Sequence, residues 1–207
     1  MAAEWRGFQQ RKVWLVASTH RGEDEIVLQA FKKIVAAMTT PPLLVLVPRH
    51  PERFNQVAEL CGEAGFKVAR RSVQQSVEQA DILLGDTMGE LMSFFGACDV
   101  AFVGGSLVPN GGHNMIEPAA WGVPILSGPH LFNFSEASRL LIEGRAMRVC
   151  EGAESVNRAD SLAGECIEIL QNQSLATEMG NAARRIAEAN RGALNKLLKV
   201  IDDNLKE

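Results

Sequence analysis

Seven short apolar runs, separated by polar loops and helix-length segments, constrain this chain more than any other feature. The runs are "VWLVA" from Val13, "PPLLVLV", "FKVAR", "DILLG", "DVAFVG", "VPILSG" and "AMRVC". Several are apolar at every position rather than at alternate ones, the pattern of a strand buried on both faces. A helix-length amphipathic segment follows the first run to about Ala37. Pro51 stands where a helix would start, a position that tolerates a missing N–H. Short buried strands alternating with helices predict right-handed β-α-β units around a parallel sheet. Beyond Glu151 the pattern is helical only, in three segments: "SLAGECIEILQ", "SLATEMGNAARRIAEA" and "ALNKLLKVIDDNL". The expectation is one doubly wound α/β domain with a helical C-terminal tail.

The bulk chemistry narrows the partners. With 207 residues the chain is long enough for one sizeable core. A net charge of −4 argues against nucleic acid, whose phosphates attract basic surfaces. No apolar run approaches the roughly 20 residues that span a bilayer. The four cysteines, Cys61, Cys98, Cys150 and Cys166, form no C-x-x-C pair and read as buried reduced thiols.

In open α/β sheets, ligands bind outside the carboxyl ends of the strands. The segments that break the bland pattern fall there: residues 18–23, 48–53, 85–90, 104–117 and 127–134. All four histidines, His20, His50, His113 and His130, lie in them. Residues 104–114 hold four glycines, a proline and a His-Asn pair, and Glu117 follows just inside an apolar helix. Such a loop lets backbone come close to a ligand, and the helix behind it favours an anion. The histidines invite a metal, yet no H-x-H, H-E-x-x-H or tight His/Asp cluster is present. Ser106 lacks the G-x-S-x-G spacing of a hydrolase elbow. "STHRGEDE" is not a G-x-G-x-x-G fingerprint, and no P-loop lysine follows. Glu117 reads either as a capping carboxylate or as an acceptor for both ribose hydroxyls. Arg49 and Arg53 read as solvated helix-start cations, with Arg49 the better placed to pair with phosphate. The residues alone therefore predict a nucleotide- or nucleotide-sugar-binding α/β domain.

Taken together, "ASTHRGEDE", "VPRHPERF", "GDTMGEL", "FVGGSLVPNGGHNMIEPAAWGVPIL" and "GPHLFNF" resemble the second half of the bacterial Kdo (3-deoxy-D-manno-octulosonic acid) transferase family. The resemblance runs in order from about Val13 to Arg148. It implies the Rossmann-like C-terminal half of a GT-B glycosyltransferase, with residues 13–207 binding CMP-Kdo. Residues 1–12 are then expected as a linker, after an N-terminal acceptor domain that this sequence lacks. That absent part would hold the lipid A precursor, the membrane-associating segment and the catalytic base. The full-length enzyme is expected at the cytoplasmic face of the inner membrane, and the fragment alone is expected to be soluble and inactive. The tail is expected to pack partly toward the absent domain.

The same resemblance assigns the site. Pro48 and Arg49 would form the first CMP-contacting segment; Met88, Gly89 and Glu90 the second; Asn114, Met115, Ile116 and Glu117 the third. Ser18, Thr19, His20, Gly22 and Glu23 are expected to face the cleft near the sugar or acceptor. Gly104, Gly105, Ser106, Gly111, Gly112 and His113 would line the loop that approaches donor. The reaction implied is inverting displacement on the sugar, independent of metal and of any cofactor, with CMP leaving. Two rival readings remain: another GT-B transferase or epimerase using a uridine diphosphate sugar, and a non-catalytic nucleotide-binding module.

Overall fold

A computed structural model describes residues 1–7, 10–152 and 155–204. All seven expected strands form. They are β1 (Val13–Thr19), β2 (Leu43–Pro48), β3 (Val68–Arg70), β4 (Ile82–Leu84), β5 (Val100–Val103), β6 (Ile125–Ser127) and β7 (Met147–Val149). They make one sheet in the order β3-β4-β2-β1-β5-β6-β7, and every pairing is parallel. All residues of β1 and β2 are buried, which is why these runs carry no polar alternation.

The pleat divides β1 between two cores. Trp14 and Val16 point into a cluster with Ile26, Phe31, Ile34, Leu44 and Leu162. Val13, Leu15 and Ala17 point the opposite way, toward Trp5, Phe94 and Phe95. The first face is covered by α2 (Asp24–Ala37), α3 (Phe54–Glu63) and α7 (Ser155–Gln171), the other by α1 (Ala2–Arg6) and α4 (Leu91–Phe95). A third cluster joins Val103, Met115 and Ile125 to α5 (Ile116–Trp121), α6 (Ser135–Glu143) and α8 (Gln173–Asn204).

Two expectations change. The segment read as a linker carries α1, and Trp5 is 1% exposed with its ring centroid 5.3 Å from that of Phe94. Arg11 ties the segment down through the carbonyls of Trp5, Val77 and Ala80. An indole able to bury its whole apolar surface overrides a linker composition. The second change is in the tail, where two of the three expected helices are continuous in α8. Gly192 sits in the helix interior without ending it, because a lone glycine costs only about 1 kcal/mol there. In addition, α7 packs along α2, so this part of the tail completes the domain's own core.

The strand order switches direction between β1 and β5: β1 leads outward to β2 on one side, and β5 leads the other way to β6. The carboxyl ends of these two strands therefore open a crevice at the switch point. Among the described residues no helix is long and apolar enough to cross a membrane.

Candidate functional site

Glu23 organises the crevice. Its side chain is fully buried and accepts four backbone N–H bonds, from His20 at 2.8 Å, Gly105 at 2.7 Å, Ser106 at 3.0 Å and Leu107 at 2.8 Å. Burial pushes its carboxyl above the usual carboxylate range, and the four donors pull it back. Glu23 was expected to face the sugar; with two donors on each oxygen it instead fastens the loop after β5 to the loop after β1. Ser106 is a second correction. It is fully buried, its hydroxyl donates to the Val103 carbonyl at 2.6 Å, and it accepts from the Gly128 N–H at 2.8 Å. Thr19 is a third, buried with its hydroxyl 2.6 Å from Asp24 Oδ1.

The backbone here is drawn tight. Ser18 adopts φ 60, the left-handed region a non-glycine residue rarely enters, and the β1–β2 register slips at that point. The Ser18 carbonyl oxygen lies 2.5 Å from where a side chain on Gly104 would begin, so only glycine fits beside it. Gly105, at φ 69, supports the His113 ring from below, and Gly22, at φ 90, sits against Val108. Gly111 and Gly112, also at positive φ, meet Asn133, Phe132 and the His130 carbonyl, which brings the loop after β6 into the group.

Three histidines converge above this floor. His20 and His113 stack with ring centroids 5.0 Å apart, and their Nε2 atoms are 2.7 Å apart. His50 meets His20 edge-on at 5.4 Å. Burial, then His20, Arg49 and His50, hold the His113 imidazole down to about 4. Burial, then His50, Arg53 and Arg49, lower His20 as well.

The two arginines part company. Arg53, read as a solvated cation, instead pairs with the buried Asp24 carboxylate and donates to the Thr19 carbonyl at 2.7 Å. Arg49 is exposed, and its guanidinium has no partner among the described residues, while its N–H is held by the Thr19 carbonyl at 3.0 Å. Pro48 before it is buried at the end of β2.

At α5 the Asn114 side chain bridges. Its carbonyl accepts the Ile116 N–H at 3.0 Å, and its amide donates to Glu117 Oε1 at 3.1 Å. Glu117 makes no cap bond to backbone, and among the described residues Oε2 meets no donor. Glu117 stands in the first turn of α5, as the capping reading expected, but the bond to a helix N–H comes from Asn114. Met115 is wholly buried, with its sulfur 3.3 Å from Ser138 Oγ, so it can offer a ligand only its backbone.

The segment with Met88, Gly89 and Glu90 lies at the end of β4, on the far side of β2 from β1. Met88 is 64% exposed and Gly89 has φ 82. The Glu90 side chain is held by Arg71, 2.7 Å away, and by Thr87, and Arg71 keeps its carboxyl below the usual range. No bond among the described residues joins this segment to the histidines.

Sequence reasoning missed the Thr19–Asp24–Arg53 group, and also Arg158, which donates to the Leu107 carbonyl at 2.6 Å and braces the loop from α7. The adjacent acids Glu23-Asp24 were the available signal. Glu23 reaches back three residues to an N–H, as a capping-box glutamate does. A cavity of about 300 Å³ lined by Lys12, Asp99, Trp121 and Gln173 lies at the amino ends of the strands, away from the crevice. Among the described residues no three His, Cys, Asp or Glu side chains converge to hold a metal ion.

No protein-family model matches the chain. The curated 3-deoxy-D-manno-octulosonic acid transferase of Haemophilus influenzae is 44% identical over 200 residues, covering 96% of this chain and 45% of that protein. The transferase of Bordetella pertussis is 37% identical over 204 residues, with 96% and 46% covered. Among solved structures, the C-terminal CMP-Kdo binding domain of WaaA from Acinetobacter baumannii superimposes with a TM-score of 0.77 at 32% identity. That match covers 89% of this chain and 95% of that one. The chain belongs to the Kdo transferase family. It spans about half the length of the curated Kdo transferases it matches. A more distant likeness, Staphylococcus aureus TarM at 15% identity and a TM-score of 0.61, shares the fold.

Proposed function

We propose that this chain is the donor-binding domain of a glycosyltransferase that moves Kdo from CMP-Kdo to a lipid A precursor. The observation that carries the reading is the match, almost end to end, with a domain described as CMP-Kdo-binding. The site chemistry agrees with it. Arg49 is an unpaired guanidinium at a strand end, suited to grip a phosphate in two-pronged fashion. Glu117 keeps one oxygen free for ribose hydroxyls, with the other oriented by Asn114. Backbone N–H groups of Met88, Gly89 and Glu90 on one side, and of Asn114 and Met115 on the other, would complete the grip on CMP, while the Ile116 N–H is already held by Asn114. As leaving group, CMP carries one negative charge fewer than a nucleoside diphosphate, so Arg49 and these amides would stabilise it without a metal ion. The catalytic base, the acceptor site and membrane attachment would come from parts of the family that this chain does not span, and the sugar would transfer with inversion.

Titration with CMP, UMP and UDP tests the reading. CMP should bind with a Kd on the order of 0.1–10 mM, a weak value for a chain that spans about half the length of its relatives. Glu117→Gln should weaken CMP by about 1.5–3 kcal/mol and leave 2′,3′-dideoxy-CMP nearly unchanged. Tighter binding of UDP than of CMP would refute the assignment and return the chain to the uridine-sugar enzymes.

A further inference from the structure

Arg49 and Glu117 account for a phosphate and a ribose, while the three imidazoles beside them have no task. We propose that His20, His50 and His113, beside Arg49, form a second anion site that takes the carboxylate of the donor sugar and binds a proton as it does so. This rests on the reading of the chain as a CMP-Kdo-binding domain.

The geometry supplies the argument. With Nε2 atoms 2.7 Å apart, His20 and His113 share one hydrogen between two nitrogens, and the Asn110 amide lies 3.0 Å from His20 Nε2. The charged groups around the trio are nearly all cationic or already engaged. The β1–α2 loop contributes exposed Arg21, Glu23 with its four amide donors, and Asp24 paired to Arg53. The β2–α3 loop contributes Arg49, Arg53 and exposed Glu52. The loop after β5 contributes no charged group before Glu117, and the loop after β6 brings His130, whose carbonyl approaches Gly112.

In the free protein burial lowers the His20 and His113 imidazoles, and a further proton there has no anion to meet among the described residues. An incoming anion reverses that balance. An ulosonic acid carries its carboxylate on the same carbon as the phosphate, so two negative charges arrive side by side. Arg49 can match one and a protonated trio the other. A neutral sugar would bring only one, which makes the trio a determinant of specificity for acidic sugars.

The experiment is isothermal titration of this chain with CMP and with CMP-Kdo at pH 6, 7 and 8, in two buffers of different ionisation enthalpy. CMP-Kdo binding should take up a fraction of a proton at pH 7 and tighten as pH falls, while CMP takes up much less. Loss of a charge-assisted contact corresponds to about tenfold or more. His113→Gln and the more exposed His50→Gln should therefore weaken CMP-Kdo about tenfold, abolish the uptake, and leave CMP within about twofold. If CMP binds but the variants weaken both ligands equally, or proton uptake is the same for both, the trio serves the phosphate or the loop and the inference is overturned alone. If neither ligand binds, the nucleotide reading falls with it.

Discussion

Replacing Glu23 by Gln separates a loop fastener from a sugar ligand. The substitution keeps shape and volume but turns one acceptor oxygen into an NH₂ donor. In the fold, one carboxylate oxygen takes the N–H groups of His20 and Gly105 and the other takes those of Ser106 and Leu107. Whichever way the amide turns, two buried N–H groups face another donor. A buried donor left unmet costs about 1–3 kcal/mol, so the pair costs about 2–6 kcal/mol, and loss of the charge weakens the remaining two bonds. Against a domain stability of about 5–15 kcal/mol this is a large fraction. At about 2–4 °C per kcal/mol for a chain of this size, the melting temperature should fall by roughly 5–20 °C. Urea unfolding followed by circular dichroism reads the effect without any ligand. A variant within about 0.5 kcal/mol of wild type that has nonetheless lost donor binding would refute the reasoning and return Glu23 to the sugar.

Trp5→Ala should destabilise the domain by about 3–5 kcal/mol, the scale for emptying a buried indole site; a change below about 0.5 kcal/mol in urea unfolding would mean that the first twelve residues are a linker after all. Acid should weaken the unliganded fold through His113. Its imidazole is held down to about 4 in the fold against 6.5 when free, so between those values the unfolded chain binds a proton that the fold refuses. The contribution is complete above about pH 6.5 and is lost as pH falls toward 4, on the order of 1–2 kcal/mol once solvent screening of a half-buried ring is allowed for. Burial raises Glu23 and Asp24, which act in the opposite sense, so the test is the difference between wild type and His113→Gln. Parallel stability–pH curves for the two proteins would sink it.

The strand list was readable because burial on both faces leaves a one-dimensional signature. A run such as "LLVLV" has no polar position to face water, and it lies at the centre of a parallel sheet. The crevice was readable for a related reason: loops at one sheet edge inherit the polar residues and glycines that the strands exclude. Local signals are weaker for the termini. The Trp5 indole finds Phe94, far along the chain, and nothing near Trp5 announces that contact.

Inside the crevice, sequence determined which residues gather and tertiary structure decided what each one does. Two adjacent acids, Glu23 and Asp24, look alike in the chain, yet one holds four amides and the other holds Arg53. Two arginines four residues apart, Arg49 and Arg53, look equally solvated, yet only Arg49 is left for a ligand. Residue type fixes charge and hydrogen-bonding capacity, and those can be read from a string. Availability depends on which groups from distant segments have already met that capacity, and the Glu23 contacts to residues 105–107 cross more than eighty positions of chain. The fold closes that distance, so only the fold separates the residues that build the site from those left to bind.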